Sequence, residues 1–160
     1  MDHLWSPWRY RYVQKADRQD DCIFCQKPAE QKDGENFIVW RARFNYLILN
    51  LYPYTTGHLM IAPYEHVATM EAASEDVLQE MILLSKKAQH HLRSIYNPGG
   101  FNVGLNIGEM AGAGIAGHIH MHVVPRWTGD ANFMSTVGET RILPEDLPET
   151  YRKLKAAFGP

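Results

Sequence analysis

The segment His118-Ile119-His120-Met121-His122-Val123-Val124 leaves this chain fewest structural options. Successive side chains of an extended strand point to opposite faces. His118, His120 and His122 therefore share one face, and Ile119, Met121 and Val123 share the other. The apolar face suits a core, whereas the imidazole face must meet something polar. Histidine is not a strong strand former, and packing alone explains poorly why all the same-face positions carry it. A functional face is the better reading.

A neutral imidazole is a good nucleophile near neutral pH, because its unperturbed pKa is ~6.5. It needs one nitrogen with a lone pair and the other donating a hydrogen bond. Neighbouring histidines can fix that tautomer and later protonate a leaving group. Residues 108–117, Gly-Glu-Met-Ala-Gly-Ala-Gly-Ile-Ala-Gly, precede the strand with few side chains in the way. The N–H groups of such a loop can wrap phosphate oxygens. Histidine attack on phosphorus is the chemistry this pairing favours. The rival is a three-histidine metal centre. Same-face positions lie ~6.8 Å apart along a strand, so consecutive ones converge poorly on one ion.

The 160 residues suit a single domain over 1–160, divided into an N-terminal arm (1–21), a core (22–128) and a C-terminal extension (129–160). Apolar residues at 45% and charged residues at 21% indicate a soluble globular chain. A formal charge of −2 provides no basic field for duplex nucleic acid. No apolar run approaches the ~20 residues that span a bilayer. Met1-Asp2-His3-Leu4-Trp5 lacks the layout of a signal peptide, so a cytoplasmic location is expected. In the arm, Trp5, Trp8, Tyr10 and Tyr12 alternate with Arg9 and Arg11, which suggests packing across the domain or a partner subunit.

Phe37–Trp40 and Phe44–Leu49 read as paired strands, with a turn at 52–57 and a third strand over His58–Ala62 closed by Pro63. Ser74 is a suitable N-cap, with Glu75 and Asp76 favoured by the helix dipole. Val77, Met81, Leu84, Ala88 and Leu92 then recur at helical spacing until Asn97-Pro98-Gly99-Gly100. Phe101, Val103, Leu105 and Ile107 alternate with polar or small residues as a fourth strand, and His118–Pro125 is the fifth. Leu147–Phe158 reads as a short helix stopped by Gly159, while 26–36 reads as a loop. Without regular βαβ alternation, an α+β fold with a mainly antiparallel sheet is expected. Cys22 and Cys25 form a tight CxxC knuckle, too closely spaced for a useful disulfide staple. It suggests redox chemistry or a metal, and the thioredoxin-like strand-helix setting is missing around it.

The histidine segment resembles the signature of the histidine-triad (HIT) family of nucleotide hydrolases and transferases. Gly57-His58-Leu-Met-Ile-Ala-Pro63 and Leu105-Asn106-Ile-Gly108 resemble further family strands, in the same order. Leu49-Asn50-Leu-Tyr-Pro-Tyr54, Gly100-Phe-Asn-Val-Gly-Leu-Asn106 and the tail from His122 to Met134 are most similar to the bacterial branch containing diadenosine tetraphosphate phosphorylases (ATP adenylyltransferases). The resemblance implies a HIT-like five-stranded antiparallel sheet with one long central helix and a short C-terminal helix.

It also implies roles. His120 would attack the α-phosphorus and carry the nucleotidyl group. His122 would contact phosphate and help the leaving group depart, and His58 would orient the triad. Asn106, Gly112 and Gly114 would hold phosphate, and Asn50 would bind ribose unless it only caps its own turn. Trp127 would flank the nucleotide or second substrate unless it only packs at an interface. The family's phosphorylases tend to carry Gly-Ser where this chain has Ala113-Gly114, so phosphate, water or another nucleophile stays open as the acceptor. Zinc-bearing relatives place a histidine at His66 and the first triad histidine, His118, beside the CxxC. A structural Zn²⁺ on Cys22, Cys25, His66 and His118 is the implied cofactor, with no organic cofactor. A homodimer with joined sheets is the implied assembly, for which the arm and the segment after Trp127 are candidate contacts. The implied substrate is a nucleoside phosphoanhydride such as diadenosine tetraphosphate. A nucleoside phosphoramidate or adenosine polyphosphate hydrolase, or a non-catalytic nucleotide-binding regulatory module, is the alternative.

Overall fold

The computed structural model describes residues 22–131, 135 and 142–159. The aromatic arm at 5–12 lies outside the described residues, as does part of the segment after Trp127. In chain order the elements are helices α1 (Ile23–Ala29) and α2 (Asp33–Asn36), strands β1 (Ile38–Arg41), β2 (Asn45–Leu49) and β3 (Leu59–Pro63), helix α3 (Glu75–Tyr96), strand β4 (Gly100–Leu105), a 3₁₀ turn at Glu109–Ala111, strand β5 (Met121–Arg126) and helix α4 (Leu147–Phe158). The strands form a 5-stranded sheet in the order β1-β2-β3-β5-β4. Every pairing is antiparallel. The expected α+β architecture, with one long central helix and a short C-terminal one, is present. Among the described residues no helix is long and apolar enough to cross a membrane.

The sheet separates two cores. Leu47, Leu49, Leu59, Ile61, Ile119, Met121 and Val123 pack under Met81, Leu84, Ala88 and Leu92 of α3 and Leu154 and Phe158 of α4. Those α3 residues recur at helical spacing and are at most 6% exposed, so their stripe supplies the main apolar burial that holds helix to sheet. The Ser74 hydroxyl accepts from the Val77 N–H, and Asn97 ends the helix in the left-handed region at φ 46°. Glu80 on α3 reaches the β1–β2 turn, where its carboxylate accepts from the backbone N–H groups of Arg43, Phe44 and Asn45. On the opposite face Cys22, Phe24, Ile38, Tyr46, Ile48, Met60, Ala62 and Ile115 form a second cluster beneath α1.

Two segments differ from the sequence reading. Residues 23–29 and 33–36 are helical rather than a knuckle followed by a loop. Pro28 obscures the first helix, because proline has no N–H to give the carbonyl four residues earlier. That carbonyl, on Phe24, is satisfied by the buried Tyr46 hydroxyl at 2.7 Å. Strand β5 also begins at Met121 instead of His118. Continuing the β3–β5 register would set Ile119 opposite Pro63, which cannot donate to a ladder. The Ile119 N–H instead binds the Val67 carbonyl at 2.8 Å. The two-face alternation persists beyond the ladder: Ile119 packs in the α3 core, while His118 and His120 lie against Phe24 on the other face.

Tyr46 thus pins α1 to the sheet through a bond that the Pro28 ring makes necessary. Tyr46→Phe is expected to lower stability by about 1–3 kcal/mol in urea unfolding, because a buried carbonyl loses its partner. Adding Pro28→Ala, which supplies an N–H to the same carbonyl, is expected to recover part of that loss. Equal stability of Y46F and the native protein would contradict the assignment.

Candidate active site

Strand β3, the turn before it and the segment leading into β5 bring the histidines together. Helix α1 delivers Cys22 and Cys25 to the same face. The four ligand atoms offered by Cys22, Cys25, His66 and His118 lie within 4.8 Å of one another. The His118 Nδ1 is 3.4 Å from the Cys22 Sγ and 3.5 Å from the Cys25 Sγ, and the His66 Nδ1 is 3.3 Å from the Cys25 Sγ. Tetrahedral zinc, with ~2.3 Å bonds to sulfur and ~2.0 Å bonds to nitrogen, requires S···N separations of ~3.5 Å. The donor set and its spacing therefore fit a closed metal site.

The protonation of the cluster points the same way. His118 Nε2 donates to the Pro63 carbonyl at 2.9 Å, which turns Nδ1 toward the thiols. Burial pushes the His118 pKa down to about 4, so the ring is neutral. Burial, followed by the neighbouring Cys22, pushes the Cys25 thiol up to about 11. The Cys25 thiol therefore holds its proton unless a cation compensates the thiolate.

His120 and His58 are fixed by backbone partners that cannot exchange roles, and His122 is fixed in turn by His58. His120 Nδ1 lies 2.9 Å from the His118 carbonyl, which can only accept, so Nδ1 carries the proton and Nε2 the lone pair. Burial lowers the His120 pKa and keeps the ring neutral. His58 Nδ1 accepts from the Tyr54 backbone N–H at 3.1 Å, so its proton sits on Nε2. That nitrogen is 2.9 Å from His122 Nδ1 and donates to it. His122 must then be protonated at Nε2. Gly57, at φ +77°, makes the approach to His58 possible: a Cβ there would sit 2.8 Å from a Leu92 methyl.

His120 and His122, with ring centroids 5.0 Å apart, line a small open cleft. Asn50, Asn106, Gly112 and Gly114 line it too, as do Phe24, Tyr52, Tyr54, Met60 and Ile115. His58 is fully buried behind His122. Asn50 makes its own turn as well, since its Oδ1 accepts from the Tyr52 N–H at 2.9 Å. Trp127 lines a larger adjoining cleft that shares Tyr54, Asn106 and His122 with the first. Its indole N–H donates to the Tyr96 carbonyl at 3.3 Å. The sequence reading gave no role to Phe24, whose ring lies 4.6 Å from that of His120, or to Tyr54, whose N–H sets the His58 tautomer. Neither carries chemistry in its side chain that a motif would reveal. Tyr54 sits within the quoted Leu49–Tyr54 run, which was the one available signal.

The HIT domain family profile matches residues 31–129. A Mycobacterium tuberculosis protein named AP-4-A phosphorylase is 38% identical over 99% of this chain and 85% of its own length. This chain belongs to the HIT family. Among solved structures, a Zn-bound histidine triad family protein from Mycobacterium smegmatis is similar at a TM-score of 0.70 and 26% identity, covering 86% of this chain and 93% of that one. A hypothetical histidine triad nucleotide-binding protein from Sulfolobus tokodaii strain7 matches at a TM-score of 0.69 and 25% identity, covering 85% of this chain and 91% of that one.

The cluster predicts about one tightly held metal ion per chain when the protein is purified without chelator, measurable by elemental analysis. Cys25→Ser is expected to lose the metal and lower the melting temperature, and a native protein far below one equivalent would argue against the site. The metal-free form is expected to weaken in acid. The folded state holds His118 at about 4 against an ordinary 6.5, so below the ordinary value the unfolded chain takes up a proton that the folded site refuses. Stability then falls with pH across that window, which unfolding midpoints at a series of pH values would measure.

Proposed function

We propose that this chain cleaves a nucleoside phosphoanhydride through a nucleotidyl-His120 intermediate, with dinucleoside polyphosphates such as diadenosine tetraphosphate as substrate. The observation that carries this reading is the His120 Nδ1 contact with the His118 carbonyl, which leaves Nε2 as a lone-pair nitrogen on a ring lining the cleft. The M. tuberculosis relative's name, AP-4-A phosphorylase, supports the substrate class.

In this reading His120 Nε2 forms a bond to the α-phosphorus as the phosphoanhydride P–O bond breaks. The leaving oxygen takes the bonding electron pair and departs as a phosphate anion, accepting a hydrogen bond from the His122 Nε2–H. Asn106 and the backbone of Gly112 and Gly114 bind the phosphate oxygens. Asn50 holds the ribose, and Trp127 borders the departing portion of the substrate. An acceptor then attacks the nucleotidyl-histidine, the new P–O bond forming as the P–N bond breaks and its electron pair returns to His120 Nε2; an attacking water passes its proton to the departed phosphate. Cys22, Cys25, His66 and His118 would hold a structural Zn²⁺, and its closed shell would stiffen the segment that carries His120. We assign residues 1–160 to one domain and propose a homodimer joined along β4, an edge strand on which Val103 is 42% exposed.

His120→Ala is expected to lower turnover of diadenosine tetraphosphate at least ~1,000-fold while nucleotide binding persists. Near-native turnover by that variant would exclude the nucleophile. Products separate the acceptors: ADP formed only with added phosphate indicates phosphorolysis, and AMP with ATP indicates hydrolysis. Tight binding of nucleotide without any turnover would favour a regulatory module.

A further inference from the structure

A glycine in the middle of β4 has no local reason to be one. Gly104 lies in ordinary extended backbone within the strand, and a Cβ built on it would meet no atom within 4 Å. It stands opposite His122 in the β4–β5 ladder, and Asn102 stands opposite Val124 on the same face. Glycine weakens a strand, and inside one it marks a place where a ligand or another backbone approaches closely. The space left by the missing side chain belongs to the larger cleft, which Asn102, Gly104, Asn106, His122, Val124 and Trp127 line together. At one end of that floor the Asn102 Oδ1 accepts from Arg126 Nη1 at 2.6 Å. The amide NH₂ is therefore the end left to donate to a ligand.

Among the described residues His120 lines only the small cleft, whereas His122 lines both. In an in-line displacement the leaving oxygen departs on the side away from the nucleophile, which here is toward His122 and the floor at Gly104. The larger cleft is poorly suited to a bare polyphosphate. Its charged lining residues are Arg126, Asp130, Glu145 and Lys153. Arg126 pairs with Asp130 and Lys153 with Glu145, so the charges cancel. Tyr54, Tyr96 and Trp127 instead supply aromatic surface on which a base can lie. We propose that this cleft takes the second nucleoside of the substrate, and that Gly104 is the specificity-determining position that keeps its floor open. The inference rests on the proposed attack by His120 at the α-phosphorus, because that reading decides which half of the substrate departs. A dinucleoside polyphosphate then sets one nucleoside beside His120 and Asn50 and the other over Gly104, beside the Asn102 amide. A mononucleotide with the same phosphate chain brings no base to the larger cleft.

The test compares diadenosine tetraphosphate with adenosine 5′-tetraphosphate, which carries the same phosphates and the same α-phosphorus but no second nucleoside. The native protein is expected to favour the dinucleotide at least ~10-fold in kcat/KM. Gly104→Val fills the floor and suits an extended strand, so its melting temperature is expected at or above the native one. Its kcat/KM for the dinucleotide is expected to fall at least ~10-fold, and that for the mononucleotide to change less than about threefold. Gly104→Ala is expected to lie between the native protein and G104V. Gly100→Val is the control, because Gly100 shares the strand face and the open surroundings but does not line the cleft; both substrates are expected to keep their native values. The same order is expected in dissociation constants measured by calorimetry in a His120→Ala background. That readout needs no turnover, so it tests the cleft apart from the nucleophile. Equal losses for the two substrates in G104V would overturn the proposal, since the added methyl groups would then act on His122. So would a native protein that binds and cleaves both alike. Sedimentation velocity is run on each variant, because β4 is also the edge proposed for the homodimer. A monomeric G104V would overturn the proposal by giving the open space to the partner subunit.

Discussion

The His118 imidazole is the tie on which the rest of the site depends. Its Nε2 is bonded to the Pro63 carbonyl at the end of β3, its Nδ1 faces both thiols of α1, and its own carbonyl receives the His120 ring. One fully buried side chain therefore joins the sheet, the metal-ligand cluster and the lead-in to β5. Burial keeps it neutral, as metal ligation requires. A charged ring in that position would have to be desolvated without compensation. Loss of its orientation would loosen α1 and the carbonyl that fixes His120 together, so the structural and chemical roles of this face are not separable.

A single device recurs across four of the five imidazoles of the site. Three rings are each held in one tautomer by a backbone group whose role is invariant: carbonyls of Pro63 and His118 accept from two of them, and the Tyr54 N–H donates to a third. The fourth, His122, inherits its tautomer from His58. Backbone groups do not titrate, so the pattern is insensitive to pH over the range in which the rings stay neutral. The outcome is a lone pair at His120 Nε2 beside a proton at His122 Nε2, with ring centroids 5.0 Å apart. The proposed nucleophile and the donor proposed for the leaving oxygen need that opposition, and two equivalent imidazoles would not have it unless their surroundings differed.

Much of this was legible in the sequence because it follows from periodicity. Alternation along 118–124 assigned the faces correctly, although the ladder itself starts at Met121, since face assignment needs only extended backbone and not hydrogen-bonded partners. The α3 stripe and its Ser74 and Asn97 ends follow from spacing and capping chemistry. The cysteine and histidine cluster was readable only through the family's pattern, for nothing in the spacing of Cys25 and His66 indicates that three strands intervene and bring the chain back. Helix α1 was hidden by Pro28, because the compensating Tyr46 hydroxyl comes from a strand far along the chain. Phe24 and Tyr54 were missed because their contributions, an apolar ring against His120 and a backbone N–H, are invisible in residue type.

The proposed reaction uses the same wall of the cleft twice, once for the departing oxygen and once for the arriving one. In both steps the His122 Nε2–H is the donor this wall would present, because its Nδ1 is occupied by the His58 N–H. Gly112 and Gly114 border the cleft without side chains, and Ala113 between them is turned inward at 3% exposure. That loop offers the acceptor no side-chain hydroxyl. Arg126 in the adjoining cleft is engaged by Asp130 and Asn102, so its charge is already largely balanced. In the proposed reaction acceptor choice would therefore rest on backbone N–H groups and the His122 Nε2–H, which favour whatever nucleophile can reach the phosphorus in line.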